Sequence, residues 1–305
     1  MKTIILRRIL LIQFLVLIGL LGTGCSDEKE DIRSEKLTIG VVSYGEGAIS
    51  LDKYERFKDY IAKQTQSIVE LEPAYNELQA LEQIQHKNWD IVFAPPGLAA
   101  IALGKELYTP LFSMEASSGR QRSLLIVRDD KPIKTIADLA NKTVALGAAG
   151  SAAGYYVPLY DLYGLTLAQI RFAPTPKTVL QWLADGSVDA GALSETDFEL
   201  YQREFSTTKF RILHTSRWIP PAVVILAPSI ERNQQQQIQK AMSQAPGDIT
   251  ADAGYVPLAK VPNYEQFIKL VEKVTPLEAQ VKKTPAVLLN QQSANQQKVG
   301  GQAVN

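Results

Sequence analysis

Short apolar segments of strand composition alternate with segments of helical spacing over about 240 residues, and no other feature limits the fold of this chain so strongly. Strands are expected at 37–42, 68–71, 89–94, 123–128, 143–146, 188–193, 210–214 and 223–227. Helices are expected at 51–65, where Leu51, Tyr54, Phe57 and Ile61 share one face, and at 77–86, 98–104, 152–163 and 178–185. A helical turn is expected at 136–139, and the rest up to Val274 reads as mostly helical. Strand–helix alternation of this kind predicts an α/β fold with mainly parallel sheets. A chain of 305 residues holds two such lobes more readily than one. Internal self-similarity is too weak to define a repeat.

Composition removes several classes of function. Hydrophobic residues make up 46% and charged residues 21%, which suits a globular chain and excludes wholesale disorder or a multi-span membrane protein. Basic and acidic residues number 32 each, so no overall charge favours nucleic acid. One cysteine excludes a disulfide framework and a cysteine-rich zinc site. His86 and His214 are the only histidines and leave little for metal binding. No Gly-x-Ser-x-Gly elbow occurs, so no nucleophile–base pair is visible and the chain reads as a non-enzyme without cofactor or metal.

The first 24 residues read as an address. Lys2, Arg7 and Arg8 form a positive start, and residues 9–21 are apolar except for Gln13 and Gly19. That run has signal-peptide length and is short for a bilayer span. Leu21-Gly22-Thr23-Gly24-Cys25 resembles a bacterial lipobox, in which Cys25 is lipidated and becomes the mature N-terminus. Gly22 stands where that pattern usually has leucine. An uncleaved anchor or an ordinary signal peptide is the plainer alternative. Loss of the leader leaves 29 basic against 32 acidic residues. Residues 25–36 read as a charged tether, and residues 290–305, rich in Gln, Asn and Gly, as a disordered tail.

In open α/β sheets ligands gather where strand ends feed helix starts. Four loops fit: one holding Tyr44, Gly45 and Gly47; Ala94-Pro95-Pro96-Gly97; the run 147–156 (GAAGSAAGYY); and Ser194-Glu195-Thr196-Asp197. The third is the most informative. Ser151, Ala152, Ala153 and Gly154 put backbone N–H groups and a hydroxyl at a helix start, an arrangement that cradles anions. It lacks the Gly-Lys-Ser/Thr of a P-loop and the spacing of a dinucleotide fingerprint. A close-packing turn of small residues is the alternative. Tyr44, Tyr75, Tyr155 and Tyr156 either wall a cleft or pack between elements. Glu195 and Asp197 either neutralise a cationic ligand group or stay solvated. Arg120 and Arg122 either bind an oxyanion or mark a lobe boundary.

Taken in order, these stretches resemble the phosphonate-binding (PhnD-like) family of periplasmic solute-binding proteins. The resemblance covers about residues 37–275. It rests on 37–42 with Tyr44 and the helix after it; on Tyr75 through Asn88-Trp89-Asp90-Ile91 to Pro95-Pro96; on 136–145 leading to Ser151–Pro158; and on 185–190 followed by Ile219-Pro220-Pro221. It implies a type II-like two-lobe periplasmic-binding-protein fold, with a ligand cleft between lobes joined by strand hinges. It also implies a receptor that hands a small molecule to ABC permease subunits, and together with the lipobox-like start the chain reads as lipid-anchored, periplasmic or at the cell surface. Lobe 1 is expected at 37–122 and 216–289, and lobe 2 at 123–215. The implied site comprises Tyr44, Pro95, Pro96, Ser151, Ala152, Ala153, Gly154, Tyr155, Glu195, Thr196 and Asp197. The expected partners are that ligand, the permease and the membrane through Cys25, with no nucleic acid and a monomeric state. Two departures bear on the ligand. Ser151-Ala152-Ala153-Gly154 has two fewer hydroxyls than the family's Ser-Thr-Ser-Gly, and Pro176 stands where the family often has histidine. A phosphonate or phosphate-like oxyanion, a sulfonate and a small organic molecule all remain open, as does a sensor of the same fold feeding a kinase or chemoreceptor.

Overall fold

The structure is a computed structural model that describes residues 36–42, 51–114 and 121–289. The leader, Cys25, most of the charged tether, Tyr44, Arg120 and the polar tail lie outside the described residues.

Two sheets dominate the fold. The first has the order β12-β4-β11-β3-β1-β2, from β1 (Lys36–Val42), β2 (Ile68–Ala74), β3 (Ile91–Ala94), β4 (Thr109–Met114), β11 (Val223–Leu226) and β12 (Tyr255–Val256). The second has the order β10-β5-β9-β6-β8, from β5 (Gln121–Arg128), β6 (Thr143–Leu146), β8 (Gln169–Phe172), β9 (Ala190–Ser194) and β10 (Phe210–Ile219). A two-stranded ribbon pairs β7 (Thr166–Leu167) with β13 (Ala286–Val287). The fold is thus mixed α/β with two sheets.

The expectation of mainly parallel sheets is corrected. β1 runs parallel to β2 and β3, and β6 runs parallel to β8 and β9. β11, β4, β12, β5 and β10 pair antiparallel with their neighbours. The reason is topological: strands that carry the chain from one sheet to the other and back must run against the βαβ units they join. Several strands were not read from sequence. β4 begins Thr-Pro with both residues exposed, and β8 (QIRF) and the two-residue strands are too short to show a period.

Two helices start differently from expectation. The segment expected at 152–163 opens as a π-turn, Ala152–Tyr156, before the α-helix Val157–Asp161. The segment expected at 178–185 begins at Pro176, whose fixed φ suits a first helical position, with the Thr175 side chain accepting from the Thr178 N–H. Elsewhere periodicity and burial agree. In the helix Asp52–Thr65, Tyr54, Phe57, Ile61 and Thr65 face inward. Tyr54 and Phe57 meet Phe93 at ring-centroid distances of 4.9 and 5.2 Å, and Phe57 meets Tyr255 at 5.7 Å.

One clamp recurs in both sheets. Asp90, just before β3, accepts the Thr38 N–H at 2.8 Å through Oδ2, and its own N–H donates to the Thr38 carbonyl at 2.8 Å. Asp189, just before β9, accepts the Thr143 N–H at 3.0 Å, and its N–H donates to the Thr143 carbonyl at 2.8 Å. Each aspartate therefore fixes the register at the base of a parallel pair, remote from the ends where loops leave the strands.

Candidate functional site

The carboxyl ends of β2 and β3 in the first sheet, and of β6 and β9 in the second, supply the loops of the cleft. Short polar side chains stop these strands and start helices. After β2, Asn76 Oδ1 accepts the Gln79 N–H at 2.9 Å, and Gln79 Oε1 accepts the Tyr75 N–H at 3.0 Å. This reciprocal cap places Glu77 at the first helical position of the helix Glu77–Gln85. After β6, Ser151 Oγ accepts the Gly154 N–H at 3.0 Å. After β9, Ser194 Oγ accepts the Asp197 N–H at 3.0 Å and donates to Asp197 Oδ2 at 2.5 Å.

The loops from the two sheets touch through glycine. A Cβ on Gly97 would lie 2.0 Å from the Gly150 carbonyl oxygen and 2.8 Å from the Ala152 nitrogen. Gly150 takes φ of +101°, and a Cβ there would lie 2.6 Å from Glu77 Cβ. Only glycine at both positions permits so close an approach of two backbones. Pro95 and Pro96, half-buried, set up the first of these contacts, with Pro96 opening the helix Pro96–Gly104.

In the loop 147–156, the Gly147 N–H donates to the Gly154 carbonyl and the Tyr156 N–H to the Ser151 carbonyl. The N–H groups of Ala152 and Ala153 donate to no backbone or side-chain acceptor among the described residues. Ser123, on β5, ties the loop to the sheet by donating its hydroxyl to the Ala153 carbonyl at 2.6 Å. Ala152 and Ala153 are themselves buried.

Tyr155 and Tyr156 are both buried and meet edge-to-face at 5.1 Å, with Tyr155 also 6.2 Å from Phe172. Burial away from water pushes both hydroxyls well above their ordinary pKa. Tyr75 is 62% exposed at the rim. Glu195 is half-buried and Thr196 exposed, while Asp197 is half-buried against Ser194.

Two carboxylates act on one another. Burial raises the Glu77 pKa to about 7, and the charge of Asp197 pushes it the same way. Burial also raises the pKa of Asp197, although the hydroxyl and N–H bonds at Ser194 oppose the shift. Among the described residues, no cation contributes to either shift. The structure thus brings Asp197, the 147–156 loop and Gly97 together with Glu77. Sequence reasoning missed Glu77 because an acidic residue in a helix's first turn is ordinary. The available signal was Asn76-x-x-Gln79 directly after a strand.

Two α/β lobes, each offering helix starts to a shared cleft, define a periplasmic binding protein of the two-lobe class. The model of the ABC transporter, phosphonate, periplasmic substrate-binding protein family matches residues 39–271, and the chain belongs to that family. Solved structures agree on the fold. XAC2383 from Xanthomonas citri bound to ATP superposes with a TM-score of 0.63 at 20% identity, covering 78% of this chain and 96% of that one. PhnD1 from Prochlorococcus marinus in complex with methylphosphonate gives 0.59 at 14% identity, covering 79% and 98%. A binding-protein component of an ABC phosphonate transporter from Pseudomonas aeruginosa gives 0.57 at 17%, covering 88% and 96%. No curated protein matches the chain. Proteins of this family bind small ligands and work with ABC permeases, and among the described residues no helix is long and apolar enough to cross a membrane.

Proposed function

We propose that this chain is a lipid-anchored, monomeric receptor of an ABC importer that closes two lobes on a small oxyanion of the phosphonate or phosphate type. The lobes are 37–122 with 216–289, and 123–215, and the anchor is a lipid on Cys25. The oxyanion is received by the N–H groups of Ala152 and Ala153 beside Ser151, with Gly154 and Tyr155 shaping the turn behind them. Pro95 and Pro96 cover it from the other lobe, Tyr44, outside the described residues, and Thr196 are further ligand-binding residues, and Glu195 and Asp197 face any positive group on the ligand.

The observation that carries this reading is the contact of Gly97 with Gly150 and Ala152. It brings the first lobe against the turn that holds the unpaired donors, so closure and anion capture share one place. The likeness to the methylphosphonate complex of PhnD1 supports the fold of such a receptor. The uncompensated Glu77–Asp197 pair favours a ligand that carries a positive group as well as an oxyanion.

A thermal-shift screen of the mature domain tests the reading. Phosphate, methylphosphonate, aminomethylphosphonate and sulfate form the panel. A ligand at about 100 times its Kd stabilises the protein by roughly 2.7 kcal/mol, which raises the melting temperature visibly. No shift with any anion at millimolar concentration would sink the oxyanion assignment. For the anchor, Cys25→Ala is expected to move the protein from the membrane to the soluble fraction.

A further inference from the structure

Several tyrosine hydroxyls inside this fold end on backbone carbonyls. Tyr60 donates to Ala241 at 2.9 Å, Tyr108 to Trp89 at 2.9 Å, Tyr255 to Met242 at 2.9 Å and Tyr264 to Pro221 at 2.6 Å. Tyr156 differs. It is 0% exposed, and its hydroxyl has no hydrogen-bond partner among the described residues. A hydroxyl sealed from water in this way is costly unless an acceptor arrives.

That hydroxyl lies at the turn the site uses. Tyr156 ends the π-turn Ala152–Tyr156, which runs directly into the helix Val157–Asp161. It stands one turn beyond Ala152, and helical side chains lean toward the start of their own helix. The Ala152 and Ala153 N–H groups point toward the same end. The Gly150 N–H acts on the Tyr156 oxygen without closing a hydrogen bond, which sets the hydroxyl next to Gly150. Gly150 is the residue whose carbonyl oxygen meets Gly97 and whose Cα faces Glu77. Burial first, and then the charge of Glu278, raise the pKa of the hydroxyl, so it keeps its proton and stays a donor. Glu278 accepts no hydrogen bond from it.

We propose that Tyr156 is a ligand-binding residue whose hydroxyl donates to the oxyanion beside the Ala152 and Ala153 N–H groups. The inference rests on the oxyanion reading above and adds a residue to it. The side chains of Ala152 and Ala153 carry no donor, and a tyrosine one turn further along the same helix supplies one. A donor without an acceptor in the protein adds to ligand affinity and not to the stability of the free receptor.

Titration calorimetry of wild type and Tyr156→Phe tests it, with phosphate, methylphosphonate, aminomethylphosphonate and sulfate as probes. Melting temperatures of both proteins are measured without any probe. Wild type is expected to bind at least one of these anions. Tyr156→Phe removes the hydroxyl alone and is expected to weaken that anion about tenfold while melting no lower than wild type. A merely structural hydroxyl gives the reverse, a lower melting temperature with Kd retained. A Kd within about threefold of wild type overturns the role of Tyr156 alone. So does a variant that no longer folds, since its hydroxyl then has a partner before any ligand arrives. Absence of binding to every probe in wild type overturns the oxyanion reading and this inference together.

Discussion

Thr38 and Asp90 in the first sheet do what Thr143 and Asp189 do in the second, yet the opposite ends of the two sheets are finished differently. At the base, each aspartate accepts one strand N–H and returns its own to the same residue's carbonyl. At these ends the first sheet offers proline, glycine and a half-buried glutamate, whereas the second offers a small-residue turn with two N–H groups that meet no acceptor among the described residues and a capped aspartate. The shared part sets register, and the divergent part holds the residues proposed above to meet the ligand. A binding protein of this class can therefore change ligand by altering turn residues without disturbing how either sheet is assembled.

The largest expected effect comes from breaking the glycine contact. Gly97→Val places side-chain atoms where a Cβ alone would already lie 2.0 Å from a carbonyl oxygen. The lobes are expected to be wedged apart, with ligand affinity falling at least a hundredfold and the radius of gyration by small-angle scattering rising. An unchanged radius and Kd would show that the cleft edges do not meet in solution.

Next in size is the pH response of Glu77. Its carboxyl titrates near 7 when buried and near 4.5 when free. The folded state therefore holds this proton over a range where the unfolded chain has lost it. Stability from this group is complete below about 4.5, declines as pH rises through about 7 and is then lost. At about 1.4 kcal/mol per unit, the decline amounts to about 3 kcal/mol at most. Glu77→Gln is expected to flatten melting temperature against pH between 5 and 8 and to stabilise the protein at pH 8. A slope equal to that of wild type would remove Glu77 as its source.

The clamps should cost less and cost alike. Asp90→Ala and Asp189→Ala each leave a strand N–H without its acceptor, and each is expected to lose about 1–3 kcal/mol in chemical denaturation. The sites lie in separate sheets, so the double variant should lose the sum. A marked excess for one aspartate would mean that the two lobes do not use the device equally.

Ser151→Ala is the smallest change. Loss of the cap on the Gly154 N–H is expected to cost about 0.5–2 kcal/mol of stability. Affinity for an oxyanion falls by about 1–3 kcal/mol only if the hydroxyl proton also reaches the ligand. Unaltered affinity would leave capping as the whole role of Ser151.

The fold was legible wherever burial repeats with a period. The faces of helix Asp52–Thr65 and the apolar runs of β3, β6 and β9 stand where the sequence put them, because each is decided by its own residues. The antiparallel strands were not, because direction is set by which sheet the chain must reach next. In the site, the turn at Ser151–Gly154 and Asp197 were legible from small and capping residues after strands. Glu77 was hidden because its environment comes from Gly150 and Asp197, which lie more than 70 residues away in sequence.

The strand order also bears on when the molecule can acquire its shape. β11, at residues 223–226, lies between β3 and β4, and β12 completes the same sheet from residues 255–256. The second sheet waits for β10, and the ribbon on β7 waits for residues 286–287. No leading portion of the chain short of about residue 219 contains a finished sheet. Pairings of such long sequence separation form slowly. Assembly of either sheet therefore has to wait until about residue 219 of the chain has been made, however fast each pairing then forms.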